Sequence, residues 1–205
     1  RSDEELKSLP PEEALMHPIW RMGERVTIDS ATLMNKGMEV IEAHWLFDMP
    51  FENIDVVIHP AILIRSFVEF TDGSVKAHLS PPDMRFFIQY ALFYPERPSS
   101  ELPRLDLTEI GPLTFERPDT KFVACLKLAV EAGKNGGTCP AVLTAADEVA
   151  VELFLSKRIG FLDIAKVVEE TLSHHQSTPY PSLDDILAAD QWAREYALAL
   201  VQIGK

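Results

Sequence analysis

The sequence predicts an α+β protein: a mixed domain with a small sheet packed on helices, followed by a C-terminal helical bundle. Three observations carry this. Residues 54–79 hold three β-rich runs, with Asp72-Gly73 as a hairpin signal between the last two. The stretch 94–119, YPERPSSELPRLDLTEIGPLTFERPD, carries five prolines and little periodicity, the composition of a connector laid along a surface. Beyond it every apolar pattern has helical spacing. The expected organisation is a mixed domain over 1–96, a linker over 97–119 and a helical domain over 120–205.

Taken in order, LPPEEALM (9–16) puts two prolines ahead of a short helical run, and HPIWRMG then breaks it with Pro18 and Gly23. The resulting loop, 17–23, carries Trp20 and Met22. RVTID (25–29) is a β-branched run that reads as a strand. Leu33, Met34, Met38, Ile41, Trp45 and Leu46 recur near helical spacing, so the segment to Phe47 reads as turn and helix. IDVVIHP (54–60), AILIRSFVEF (61–70) and GSVKAHL (73–79) are the three strand candidates. After the linker, FVACLKLAVEAG ends at a C-cap glycine, Gly133, and AVLTAADEVAVELFLSKRIG ends at Gly160. DIAKVVEETLSHH and SLDDILAADQWAREYALALVQIG complete the helices. Internal repeats and low-complexity tracts are not evident.

Charge bounds the function. A net charge of -13 over 205 residues argues against a nucleic-acid surface, which needs clustered Lys and Arg to displace counterions. An anionic ligand must therefore be met by a local site. Cys125 and Cys139 have neither CxxC nor His-paired spacing, so no disulfide framework or zinc site is expected, and a reducing, cytoplasmic compartment is the default. No window approaches the roughly 18 to 20 apolar residues of a membrane span. The opening RSDEELKSLPPEEAL lacks the order of a signal peptide. It also lacks a Met and starts within a polar segment, as expected of a chain whose earlier part is absent.

The chemistry concentrates in RMGERVTIDSATLMNKGMEVIEAHW (21–45), which places Ser30, Asn35, Lys36 and Glu39 in one predicted strand-to-helix passage. At a helix start the first N–H groups are unpaired and the dipole is positive, which favours an anion such as phosphate. Ser30 and Thr32 offer hydroxyls there, and Lys36 a full charge. Gly37 fits a close approach of backbone to ligand. Glu39, one turn on, would repel a phosphate unless a cation lay between them, which points to a divalent metal bridging protein and substrate. The bland alternative is a capped amphipathic helix whose Lys36 and Glu39 form an exposed i, i+3 pair worth a few tenths of a kcal/mol.

HPIWRMG, TIDSATLMNKGMEVIEAHWLF, IHP, DGSV, PPDMR, QYALFYPER, LTFERPD, LKLAVEAG and AADEVAV, in this order and at close spacing, resemble the 1-deoxy-D-xylulose 5-phosphate reductoisomerase family. The resemblance spans essentially all 205 residues. It implies an NADPH-dependent enzyme of the isoprenoid pathway, cytoplasmic and homodimeric, that uses Mg²⁺ or Mn²⁺ on a sugar-phosphate substrate. It also implies parts that this sequence does not contain: an NADPH-binding Rossmann domain, an Asp-Ser-Glu segment with two of three metal ligands, and a Ser- and Gly-rich phosphate loop. The chain alone is then expected to be inactive.

Carried over residue by residue, the resemblance puts Ser30, Asn35 and Lys36 on the substrate phosphate with His17 nearby, and makes Glu39 the third metal ligand. His17, Trp20 and Met22 become a flap over the substrate. Met22, Gly23 and Met84 fall beside the nicotinamide, and His59 matches an active-site histidine. Read without the resemblance, Trp20 is a hydrophobic staple, His59 a satisfied structural histidine and Met84 core filler.

The chain departs from the family pattern at Ala61, Ile62 and Arg65, where Gln-Ser and a His are usual, and at Thr144 and Asp147, where two Asn are usual. The first group replaces polar residues near a strand and dimer contact. Two further readings stay open: a non-catalytic binding or dimerisation module that kept the fold, and a metal-dependent sugar-phosphate isomerase or lyase acting without hydride transfer.

Overall fold

The computed structural model describes residues 3–16, 22–118 and 124–203. It is α+β: nine helices and one two-stranded antiparallel sheet among those residues. Two short helices, α1 (Asp3–Lys7) and α2 (Pro11–Ala14), precede α3 (Glu24–Thr32) and α4 (Met34–Phe47). A 3₁₀ turn at Phe51–Asn53 is followed by β1 (Ile64–Glu69), β2 (Val75–Leu79) and α5 (Arg85–Phe93). The chain closes with α6 (Ala124–Asn135), α7 (Cys139–Leu155), α8 (Asp163–His174) and α9 (Leu183–Ile203). No helix among the described residues is long and apolar enough to cross a membrane.

Contacts group these elements into two compact units that do not follow chain order. The first joins the residues up to Asp55 with the helices from α6 onward, and the second is Val56–Pro118. The chain's early helices thus share a core with its last ones. Ile28 of α3 and Met34 of α4, both fully buried, lie in one cluster with Ala129, Leu143, Phe154, Ile164 and Val168. Burial of that apolar surface, at roughly 25 cal/mol per Å², is what holds α3 and α4 to the bundle α6–α9.

The run RVTID is helix, not strand. Its β-branched residues satisfy helical burial instead of alternation: Thr27, Ile28, Asp29 and Thr32 face inward while Val26 is exposed. The hydroxyls find acceptors within the helix, Thr27 Oγ1 donating to the Gly23 carbonyl at 3.0 Å and Ser30 Oγ to that of Val26 at 2.8 Å. Packing of Ile28 therefore overrides the β propensity of the run. Leu33, left-handed with φ 63°, ends α3 and begins α4.

Neither glycine predicted to end a helix does so: α7 stops at Leu155, ahead of Gly160. Gly133 is not a C-cap: it sits inside α6, where a Cβ would lie 2.7 Å from Phe51 Cζ and 2.9 Å from Ile41 Cγ1. The left-handed glycines that end the helix are Gly136 and Gly137, with φ of 63° and 56°. Only the first part of α4's apolar stripe is covered: Met34, Met38 and Ile41 reach the core, whereas Trp45 and Leu46 are 72% and 67% exposed.

In the second unit β1 and β2 pair through the expected Asp72-Gly73 turn. Gly73 takes φ 81° and donates to the Phe70 carbonyl at 2.8 Å, while Asp72 Oδ1 accepts from the Ser74 N–H at 2.8 Å and from its hydroxyl at 2.6 Å. A register shift interrupts the ladder between Ile64 and Ser66. The IDVVIHP run forms no strand, only an isolated bridge from Ile58 to Glu116. That bridge, the Gln89 side chain donating to the Pro98 carbonyl at 2.7 Å, and Arg97 over the Tyr90 ring at 3.7 Å tie the proline-rich stretch into this unit. Helix α5 went unread because its nine residues lie between prolines.

Candidate functional site

Helix α4 presents the polar cluster. Asn35, Lys36 and Glu39 occupy its first turns, on the side away from Met34, Gly37 and Val40, which are buried. Asn35 Nδ2 donates to Glu39 Oε1 at 2.8 Å, and Lys36 Nζ pairs with Glu39 Oε2. Side chains of Lys36 and Glu39 remain 41% and 45% exposed, so this pair is screened and contributes little to stability. Its consequence is local: one carboxylate gathers an amide and an ammonium into a single group at the start of a helix.

Gly37 does not bring backbone to a ligand. A Cβ there would lie 2.4 Å from Ala129 Cβ and 3.4 Å from Leu126 Cα, so the glycine permits close contact of α4 with α6. Ser30 lies in the last turn of α3, not at a helix start, and its hydroxyl bonds to its own helix. Thr32 is buried, donating to the Asp29 carbonyl at 3.3 Å and accepting from the Met34 N–H at 3.4 Å, so it is turned away from any ligand. The helix start in this passage is that of α4, where Asn35 and Lys36 sit in a first turn whose N–H groups lack i−4 partners in their own helix.

Of the remaining predicted residues, His17 and Trp20 lie outside the described residues. Met22 and Gly23 precede α3, and the space beside Gly23 is open, with nothing within 4 Å of a Cβ built there. His59 and Met84 belong to the second unit. His59 Nδ1 donates to the Thr114 carbonyl at 2.9 Å, and Nε2 is buried and without a partner among the described residues. Its ring stacks on Phe115 at 4.8 Å. Met84 is 52% exposed at the start of α5.

A hard divalent ion suits the Glu39 carboxylate, which offers oxygen ligands flanked by two donors. No group of three His, Cys, Asp or Glu side chains capable of holding a metal occurs among the described residues. Glu39 therefore fits as one ligand of a shell that needs others.

A partly exposed ionic layer that the sequence reading did not identify joins α3, α7 and α9. Arg25 of α3 reaches Glu148 of α7, which also pairs with Arg194 of α9, and Arg194 holds Asp190 at 2.8 Å. Burial alone would raise the Glu148 pKa, but Arg194 and Arg25 outweigh it and hold it below the ordinary value. Beside this layer, Asp29 and Asp147 are both buried, at 5% and 0% exposure. The available signal was Asp147 itself, an acid within the largely apolar helix α7.

Two family models match the chain: the "DXP reductoisomerase C-terminal domain" over residues 79–196 and the "1-deoxy-D-xylulose 5-phosphate reductoisomerase C-terminal domain" over residues 1–47. The chain belongs to the 1-deoxy-D-xylulose 5-phosphate reductoisomerase family. It is 56% identical over 201 residues to the reductoisomerase of Chlorobium phaeobacteroides, covering 98% of this chain and 52% of that protein. The reductoisomerase 1 of Bacillus thuringiensis is likewise 56% identical over 201 residues. The chain spans about half the length of the curated relatives it matches.

Among solved structures, a reductoisomerase from Zymomonas mobilis in complex with NADPH superposes with a TM-score of 0.88 at 46% identity, over 97% of this chain and 51% of that one. A reductoisomerase in complex with magnesium gives 0.90 at 40% identity, over 100% and 52%. Another holds NADPH, fosmidomycin and magnesium, with a TM-score of 0.89 at 41% identity, over 99% and 52%.

Proposed function

We propose that this chain supplies the phosphate-binding group and one metal ligand of a 1-deoxy-D-xylulose 5-phosphate reductoisomerase. That enzyme rearranges its ketose phosphate to a branched aldehyde, then reduces it with NADPH to 2-C-methyl-D-erythritol 4-phosphate in non-mevalonate isoprenoid biosynthesis. It works as a cytoplasmic homodimer, and its nucleotide domain and two further metal ligands come from outside this sequence. The observation that carries the reading is the Asn35–Lys36–Glu39 cluster at the start of α4, beside Ser30, in a member of this family.

The cluster's present bonds suit the role. Lys36 Nζ and Asn35 Nδ2 both turn to Glu39, and an arriving phosphate would compete for both donors. As they turn to it, the Glu39 oxygens become free to bind a cation. A Mg²⁺ or Mn²⁺ ion held there would supply Lewis acidity to two substrate oxygens, as NADPH would supply hydride. The Ser30 hydroxyl, by rotating away from the Val26 carbonyl, can donate to the same phosphate. The resemblance assigns Met22 to a flap that would exclude water, together with His17 and Trp20, which lie outside the described residues. Met22 and Gly23 in the first unit and Met84 in the second each keep the nicotinamide-side role that the resemblance implies, as His59 keeps its substrate-side role.

The test is NADPH consumption with 1-deoxy-D-xylulose 5-phosphate by the full-length protein, wild type against Glu39→Gln. Turnover by wild type and its loss in the variant, with a raised metal requirement, are expected. An active enzyme indifferent to Glu39→Gln sinks the ligand assignment.

A further inference from the structure

Asp29 on α3 and Asp147 on α7 meet where these helices pack. Arg25 ties them together in space, with Nε 3.6 Å from Asp29 Oδ2 and its guanidinium paired with Glu148, the residue after Asp147, and each carboxyl acts on the other's titration through a side-chain hydrogen bond. Both oxygens of Asp147, and Oδ1 of Asp29, are buried and find no N–H or O–H donor among the described residues. Two ionised carboxylates cannot be satisfied this way: each would be an acceptor facing an acceptor in a dry contact. One proton resolves the arrangement, because Asp147 as an acid donates to the Asp29 carboxylate, whose Oδ2 lies 3.6 Å from Arg25 Nε.

We propose that Asp29 and Asp147 share one proton across the α3–α7 contact, and that this proton holds α3, and with it Ser30, where the phosphate is bound. The second half rests on the reading of Ser30 under Proposed function; the first half does not. Asp147 is then a positioning residue, touching no substrate and acting through α3.

The charged surroundings are consistent. Facing the pair are Arg25 from α3, Glu148 from α7 and the Cys125 thiol from α6, with Arg194 of α9 spent on Glu148 and Asp190. Arg25 is itself shared with Glu148, so its charge is not free to neutralise a second buried carboxylate. Burial, followed by the Asp29 charge and the hydrogen bond from Asp147 to Asp29, pushes the Asp147 acid up to about 8. Burial raises Asp29 as well, while the bond from Asp147 and the Arg25 charge oppose that rise. A group whose folded pKa is raised stabilises the fold most below its unfolded value, here 3.8, and the contribution is lost as pH climbs through the folded one. Above about 8 the pair becomes two buried carboxylates, and α3 is pushed from α7.

The experiment is hydrogen exchange of the α3 amides in the full-length protein from about pH 5 to about pH 9.5, a range that spans the fall expected below the folded value and the plateau above it, corrected for intrinsic rates, beside the KM for the sugar phosphate over the same range. Wild type should lose α3 protection progressively, by up to about tenfold per pH unit for one linked proton, and level off above about 8, while α8 stays protected, and KM should rise in step with kcat changing less. Asp147→Asn, whose amide donates the same bond without a titrating proton, should flatten both profiles; Asp29→Asn is the second probe should that variant fail to fold. Flat protection in wild type, or the same fall in both variants, overturns the shared proton. A protection profile as expected with a pH-independent KM overturns the positioning of Ser30. If the protein binds no sugar phosphate at any pH, the reading of function fails, and the exchange data still decide the proton.

Discussion

Gly37→Ala is the sharpest structural perturbation of the candidate site. The new Cβ would lie 2.4 Å from Ala129 Cβ, with Leu126 Cα and its carbonyl oxygen at 3.4 and 3.5 Å. Carbon atoms in contact sit about 3.5 to 4.0 Å apart, so α4 and α6 must part by roughly 1 Å. No flexible side-chain end can give way, because the obstacle is a methyl group on a helix. Overpacking of this kind costs about 1–3 kcal/mol, and replacing glycine within a helix returns about 0.5–1 kcal/mol. The net expectation is a loss of about 1–2 kcal/mol. With a urea slope of roughly 2 kcal/mol/M, the unfolding midpoint should fall by about 0.5–1 M. Ala129→Gly alone should cost about 1 kcal/mol in helix propensity, yet in the Gly37→Ala background it removes the obstacle, so the double variant should lose less than the sum of the singles. A raised midpoint for Gly37→Ala, or strict additivity, refutes the account of Gly37 as the packing glycine of α4.

Two other outcomes follow from the buried groups. Burial, with Asp147 nearby, pushes the Cys125 thiol up to about 12, so iodoacetamide at pH 8 should leave Cys125 unmodified in native protein and label it at ordinary rates in denaturant, as peptide mass spectrometry would read. Glu148→Gln should cost roughly 1–2 kcal/mol at pH 7 after allowing for screening of the half-exposed arginines. Because the folded pKa of Glu148 is lowered, that stabilisation is present above the unfolded value of 4.5 and is lost as pH falls through the folded one. Urea midpoints of the two proteins should therefore converge as pH falls below 4.5, and a gap that does not shrink with acid would contradict the charge pairing.

What could be read from the residues divides along a physical line. Helices α6 to α9 and the β1–β2 hairpin were visible because their signals are local: apolar spacing in the helices, and an Asp-Gly turn between β-rich runs. The Asn35, Lys36 and Glu39 cluster was visible for the same reason, since i, i+3 and i, i+4 spacing suffices to bring them together. Features decided by contact with distant sequence were misread or missed. RVTID has the composition of a strand, and only burial of Ile28 beside α6 and α7 makes it helical. Gly37 and Gly133 look like ligand and cap glycines until their neighbours, Ala129 in one case and Phe51 with Ile41 in the other, are known. The Arg25–Glu148 pair joins residues 123 positions apart, a separation at which no spacing rule speaks.

The two kinds of feature meet on α4. Its outer side holds the readable chemistry, and its inner side is set by Gly37 against α6 and by Ile41 beneath Gly133. α3 meets α4 at the left-handed Leu33, so any motion of α3 from α7 passes through one residue to Asn35 and Lys36. A residue far from the polar cluster, such as Asp147, can therefore act on it by the same path through which Gly37 fixes it. This is the physical reason to test the buried aspartate pair and the exposed cluster in one protein, with Gly37→Ala and Asp147→Asn each measured for its effect on the binding of sugar phosphate.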